Sequence, residues 1–231
     1  MKLLALESSA EVASVCLLID SVFLTREGGT PGTHARFLLQ WIDGLMEESG
    51  LRVSDLDAIV FSAGPGSFTG LRLSVSVAQG MAVAADRPLV AIPTLEALAH
   101  GCGDGRHLCC MDARMGEVYS AAIEVSGDRT HTVRPSAVTA PGAVLPPPGE
   151  PSSWYGCGSG YALPDLREQP WVGSLAGIDV SAAPHARSVA ALARPRVAAG
   201  EFIDPALAAP LYVRDKVART TQERLAAGGR A

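Results

Sequence analysis

The chain has 231 residues, enough for one large domain or two small ones with a real core. With 48% hydrophobic and 19% charged residues it has the composition of an ordinary soluble globular protein, which excludes wholesale disorder. A formal net charge of −5 argues against a surface that holds nucleic acid unaided, because neutralising phosphates needs clustered Lys and Arg.

In chain order, Leu3 to Glu7 reads as a buried strand. The apolar run before Glu7 is too short for a signal peptide, and no stretch approaches membrane-spanning length. A cytoplasmic protein with no membrane association is expected. Ala13 to Ile19 reads as a second strand, and Asp20-Ser21 turns the chain into a third, Val22 to Arg26. After a Gly/Pro/Thr loop, a helix is predicted from His34 to Ser49, ended by Gly50. Its apolar positions, including Phe37, Leu38, Trp41 and Leu45, follow the helical period. Ala58 to Ser62 reads as a strand, Ala63 to Gly70 as a glycine turn and Leu71 to Ala85 as a second helix. Leu89 to Ile92 then returns as a strand, and Thr94 is read as the cap of a short helix through Ala99.

The second half opens the same way. Leu108 to Asp112 is an apolar strand ending in a carboxylate, as Leu4 to Glu7 is, and a short turn leads into Glu117 to Val125. Trp154 to Gly160 echoes Phe61 to Ser67, a short strand running into a glycine turn. Two echoes in the same order indicate a duplication, with halves at 1–102 and 103–215 and a tail at 216–231. The fold class expected is α/β: two tandem halves, each a mixed sheet flanked by helices. Pro141 to Pro151 reads as a proline-rich loop within the second half, and His185 to Val197 as a helix kinked or ended by Pro195.

The five cysteines, Cys16, Cys102, Cys109, Cys110 and Cys157, contain no C-x-x-C pair and read as buried free thiols. The histidines never fall at i, i+4 spacing, and no Cys/His cluster is read, so neither metal nor cofactor is expected. Arg214, Lys216, Arg219, Arg224 and Arg230 form a basic ending, read as a solvated tail.

The most distinctive run is Gly64-Pro65-Gly66-Ser67-Phe68-Thr69-Gly70-Leu71-Arg72. Its residues Gly64, Gly66, Ser67, Thr69 and Gly70 could cradle an anion or nucleotide at the start of the following helix. From the chemistry alone the favoured reading is a tight strand-to-helix connection, and the Gly-Lys-Ser/Thr ending of a Walker loop is missing. On that helix Ser74, Ala78 and Ala82 line one face and Ser76, Gly80 and Ala84 a neighbouring one, so one can pack inward and the other can receive a partner.

This run, together with Asp112-Ala113-Arg114-Met115-Gly116-Glu117-Val118-Tyr119 and Pro210-Leu211-Tyr212-Val213-Arg214, resembles the bacterial TsaB (YeaZ) family, from the first strand to about Val217. The resemblance implies the acetate kinase, sugar kinase, heat-shock chaperone and actin superfamily, with two ribonuclease-H-like halves. It implies a non-catalytic scaffold that pairs with a TsaD-type catalytic subunit and is joined by a TsaE-type ATPase. That complex transfers threonylcarbamoyl to the adenosine beside the anticodon of tRNA, which the scaffold itself meets only indirectly. The same resemblance implies pairing, with TsaD or as a homodimer, through the first two helices. This places Phe37, Leu38, Trp41, Leu45, Ser74, Ala78 and Met81 near the interface.

The chain departs from the superfamily kinases at Glu7, where they carry Asp, and it lacks the paired metal-binding histidines of the catalytic homologue. His34 stands alone and reads as a surface or capping residue. A small-molecule kinase or ATPase of the same fold is the alternative, with Glu7 and Asp112 as its cleft carboxylates. A peptidase lacks any nucleophile motif here.

Overall fold

The computed structural model describes residues 1–29 and 33–213. The first half is a five-stranded sheet of β1 (Lys2–Glu7), β2 (Ala13–Ile19), β3 (Val22–Gly28), β4 (Ala58–Gly64) and β5 (Leu89–Pro93). Its order is β3-β2-β1-β4-β5, with β1 antiparallel to β2 and parallel to β4. The helices are α1 (His34–Ser49), α2 (Phe68–Ala85) and α3 (Thr94–Gly101). The second sheet contains β6 (Gly105–Arg114), β7 (Glu117–Ser126), β8 (Arg129–Thr139), β9 (Tyr155–Cys157) and β10 (Gly177–Asp179). Its order, β10-β9-β6-β7-β8, repeats the first once each strand number is raised by five, and the senses of pairing repeat too. The duplication inferred from two short echoes is therefore present in the topology.

β1 shows why the sheet is apolar on both sides. Leu4 and Leu6 join the cluster beneath α1 and α2, whereas Leu3 and Ala5 join the cluster beneath a fifth helix, α5 (Ala186–Ala198). Covering both faces removes the polar alternation of a half-exposed strand. Each fully buried leucine contributes about 1.5–3 kcal/mol.

The two halves exchange helices. α5, from late in the chain, packs Val189, Ala190 and Ala193 on the first sheet, and α3 packs Leu95, Leu98 and Ala99 on the second. Glu96 of α3 binds Arg196 of α5 at 2.7 Å and Thr130 of β8 at 2.7 Å, pinning the crossing. The chain passes from one sheet to the other near residue 102, yet the packing does not divide there. Among the described residues, the other face of the second sheet has no counterpart of α1 or α2. Val144, Trp154, Tyr161 and Val172 pack there with Leu166 from the single-turn α4 (Pro164–Arg167). The proline-rich segment folds over this face, its Pro148 carbonyl accepting from Trp154 Nε1 at 2.9 Å.

Several local expectations are corrected. α2 starts at Phe68, earlier than expected, because Ser67 caps it by accepting from Gly70 N. Thr94 is the first helical residue and not the cap, and its hydroxyl bonds Ser62 Oγ at 2.7 Å. Pro195 sits inside the last turn of α5, which continues to Ala198 and is anchored by Arg196. His34 is neither exposed nor a cap. It is buried in the first turn of α1, with Nε2 3.0 Å from the Glu11 carbonyl oxygen. Cys16, Cys109, Cys110 and Cys157 are buried free thiols as expected, and Cys102 is half-buried.

Candidate functional site

The glycine run closes the end of β1. Gly66 lies so close to the β1–β2 turn that a Cβ there would meet Ser9 Cβ and Ser9 O at 2.7 Å. Ser67 N donates to Ser9 O at 2.8 Å, and Leu71 N donates to Ser67 O at 2.8 Å. Ser8 Oγ donates to Gly70 O at 2.7 Å and shares a hydrogen bond with Ser74 Oγ at 2.6 Å. The amides of Ser67, Gly70 and Leu71 are thus already engaged inside the chain. This is the geometry of a tight connection that presses α2 onto β1.

Beneath this lid lies Glu7, fully buried. Its Oε1 accepts from Ser9 N and Ser9 Oγ, both at 2.5 Å, while Oε2 is buried without a partner. Burial raises the Glu7 carboxyl above its ordinary value, against the opposing influence of the neighbouring Ser62 and Ser9. A carboxylate that helps hold a nucleotide-bound cation must reach it, and Glu7 is walled off by Ser9 and the glycine turn. Asp112, the matching acid of the second half, is turned toward its own neighbours. Its Oδ1 accepts from Arg114 N at 2.7 Å, and its Oδ2 pairs with Arg114 Nη1 at 3.3 Å. Arg114 also reaches Glu11 Oε1 at 2.7 Å, linking the two halves.

The glycine run and the segment Pro210 to Val213 come together in space, although 140 residues separate them. Leu211 N donates to Ala63 O at 2.6 Å, at the C-terminal end of β4. Arg72 Nε donates to the Tyr212 hydroxyl at 3.1 Å, and the Arg72 guanidinium lies 3.8 Å from the centre of the Phe68 ring. Phe68 in turn packs against Tyr212 with ring centres 5.9 Å apart. Farther along, Gln79 Nε2 donates to Pro205 O at 2.6 Å. The late segment therefore runs beside α2. Arg214 and the basic tail lie outside the described residues.

α1 and α2 lie side by side on one face of the first sheet. Leu38, Leu45, Ser74 and Ala78, expected near an interface, are all buried, and all but Ser74 belong to the apolar core under these helices. They position the helices but present no surface to a partner. Phe37 and Trp41 are half-buried, stacked 5.7 Å apart beside Gly29 and Gly28 at the β3 end, and Met81 is half-buried on α2. What faces outward is the neighbouring stripe Ser76, Gly80 and Ala84, with Val83 66% exposed, and on α1 Leu39, 52% exposed. A Cβ added at Gly44 or Gly80 would meet nothing within 4 Å. The sequence pattern separated the two faces of α2, but the residues taken from the resemblance lay largely on the inward one.

Against this geometry the relatives can be compared. The chain is 31% identical over 225 residues to the tRNA threonylcarbamoyladenosine biosynthesis protein TsaB of Escherichia coli, covering 94% of this chain and 96% of that one. The chain belongs to the TsaB (YeaZ) family. The family model described as TsaD, tRNA N6-adenosine threonylcarbamoyltransferase, matches residues 25–226. The solved structure of YeaZ from Pseudomonas aeruginosa is similar at 34% identity and a TM-score of 0.84, over 91% of this chain and 99% of that one. A shorter match, 43% identical over 63 residues, links this TsaB-family chain to the tRNA N6-adenosine threonylcarbamoyltransferase of Erythrobacter litoralis, covering 27% of this chain and 18% of that one. Among the described residues no helix is long and apolar enough to cross a membrane.

Proposed function

We propose that this chain is the accessory subunit of a complex that makes threonylcarbamoyladenosine in tRNA, and that it pairs with a TsaD-type catalytic subunit through the outward faces of α1 and α2. The observation that carries the reading is the division of labour on α2. Its inward face packs on the first sheet, with Ala78 in the core and Ser74 bonded to Ser8, while Ser76, Gly80, Val83 and Ala84 remain exposed. Small residues let the backbone of a partner helix approach closely. The disposition of the acids supports a scaffold over a kinase: Glu7 is sealed and Asp112 is paired with Arg114. With a net charge of −5, the chain leaves most of the contact with tRNA to its partner. The assembled pair offers a docking surface to a TsaE-type ATPase, and the same exposed faces account for a homodimer when the catalytic subunit is absent.

The test is co-purification with the TsaD-type protein, followed by tRNA modification with and without this chain. Stable pairing and modification that depends on the chain are expected. ATP turnover by the chain alone, abolished by Asp112→Ala, would instead favour the kinase. Because Leu45 is in the core, Leu45→Asp would report on folding; Val83→Asp is the cleaner probe of the contact.

A further inference from the structure

No motif in the sequence joins Cys102, His107 and Cys157, yet the fold brings them together. Cys102 follows the last turn of α3, His107 lies on β6 and Cys157 ends β9. In the β6–β9 register His107 opposes Tyr155 and Cys109 opposes Cys157, so all four share the sheet face that α3 covers. One ligand atom from each of Cys102, His107 and Cys157 lies within 4.8 Å of the other two.

The histidine adds an independent sign. His107 is buried, with Nε2 2.8 Å from the Gly103 carbonyl oxygen. In the neutral ring Nε2–H donates to that carbonyl, which leaves the lone pair on Nδ1. Nδ1 is buried and has no hydrogen-bond partner. A ring nitrogen held by a backbone carbonyl while the other is left unsatisfied is the arrangement that fixes a histidine as a metal ligand.

We propose that Cys102, His107 and Cys157 form a Zn²⁺ site that clamps the end of the first half to the second sheet. Two thiolates and an imidazole select zinc over hard cations such as Mg²⁺ or Ca²⁺. Zinc–sulfur bonds of about 2.3 Å and zinc–nitrogen bonds of about 2.0 Å put tetrahedral ligands roughly 3.3–3.8 Å apart. The three groups need close by only about 1 Å, and half-buried Cys102, at a helix end, can move. The fourth position has two sources. Cys109 Sγ is 3.5 Å from Cys157 Sγ, and solvent has access through an adjoining cavity of about 400 Å³. Cys102 and His107 line that cavity, as do Asp104 and Asp179, whose carboxylates favour entry of a cation.

The site is tested by titrating the reduced, metal-stripped full chain with Zn²⁺ and, separately, with Co²⁺. One Zn²⁺ per chain, a higher unfolding temperature with zinc and a thiolate-to-cobalt charge-transfer band are expected. Cys102→Ser and His107→Ala are each expected to weaken zinc binding more than about 100-fold, since even partners outside the ligand set cost about 10- to 100-fold. His131→Ala, which removes an exposed imidazole on β8, should change nothing. Absence of the cobalt band in the unaltered chain overturns the proposal whether or not the variants fold. Equal zinc binding by both folded ligand variants overturns it as well.

Discussion

Gly66 and Gly80 flank and occupy the same helix, and their replacement by alanine is expected to act in opposite directions. At Gly66 the new Cβ would stand 2.7 Å from Ser9 Cβ and Ser9 O, against ordinary contacts of 3.4–4 Å. Ser9 has to retreat by about 0.7 Å, and overpacking of this kind costs about 1–3 kcal/mol. The retreat also strains the Ser67 N to Ser9 O bond and the two bonds from Ser9 to Glu7. If the three bonds are loosened and not lost, together they add about 1 kcal/mol, so Gly66→Ala is expected to lose roughly 2–4 kcal/mol. Gly80 meets no such obstacle, so Gly80→Ala is expected to gain up to about 1 kcal/mol of helix propensity. Urea unfolding followed by circular dichroism reads both values. Titration with the TsaD-type partner should then show weaker pairing for Gly80→Ala despite its greater stability. A Gly66→Ala protein within about 0.5 kcal/mol of the parent would refute the steric reading of the loop.

Val83→Asp should leave the unfolding midpoint within about 0.5 kcal/mol of the parent, as exposed substitutions do, while lowering affinity for the partner by at least about tenfold. Analytical ultracentrifugation of the mixture reads this, and unchanged pairing would move the contact elsewhere. Glu7 supplies a pH prediction. Its folded-state carboxyl is raised by burial, so its stabilising contribution is full below the unfolded pKa and is lost as pH rises through the folded value. Glu7→Gln stays neutral, so the variant should gain on the parent as pH rises above the ordinary carboxylate range; a flat or reversed difference contradicts the burial argument. Tyr212→Phe removes the acceptor for Arg72 in an exposed pair, and a loss of about 0.5–1 kcal/mol is expected. Faster proteolytic cleavage near Leu211 would register the loosened segment.

The legible parts of the fold were those whose pattern is local. β1, β2, α1 and α2 announce themselves because unbroken apolar runs and a helical period leave few alternatives. β8 was missed because it is an edge strand rich in polar residues and carrying Pro135, features that protect an edge and blur its signature. β10 has only three residues. The exchange of α3 and α5 is not written in either helix, since it depends on which sheet face each meets. The same reason limits what periodicity says of a partner surface: it gives the apolar stripe on α1, and that stripe, with Leu38 and Leu45, faces inward. The glycine run is conspicuous in the sequence, yet its contact with Tyr212 spans 140 residues and leaves no local trace. The grouping of Cys102, His107 and Cys157 was missed for the same reason, because no spacing rule reaches across two strands and a helix end.

The central claim is that the outward helix faces, and not the carboxylates between the halves, are what the chain contributes. Reconstituted threonylcarbamoylation of tRNA, run with the TsaD-type and TsaE-type proteins and either Val83→Asp or Asp112→Asn, measures it directly. The account predicts that Asp112→Asn supports modification at the parent rate while Val83→Asp fails. Full activity with Val83→Asp and none with Asp112→Asn would contradict it.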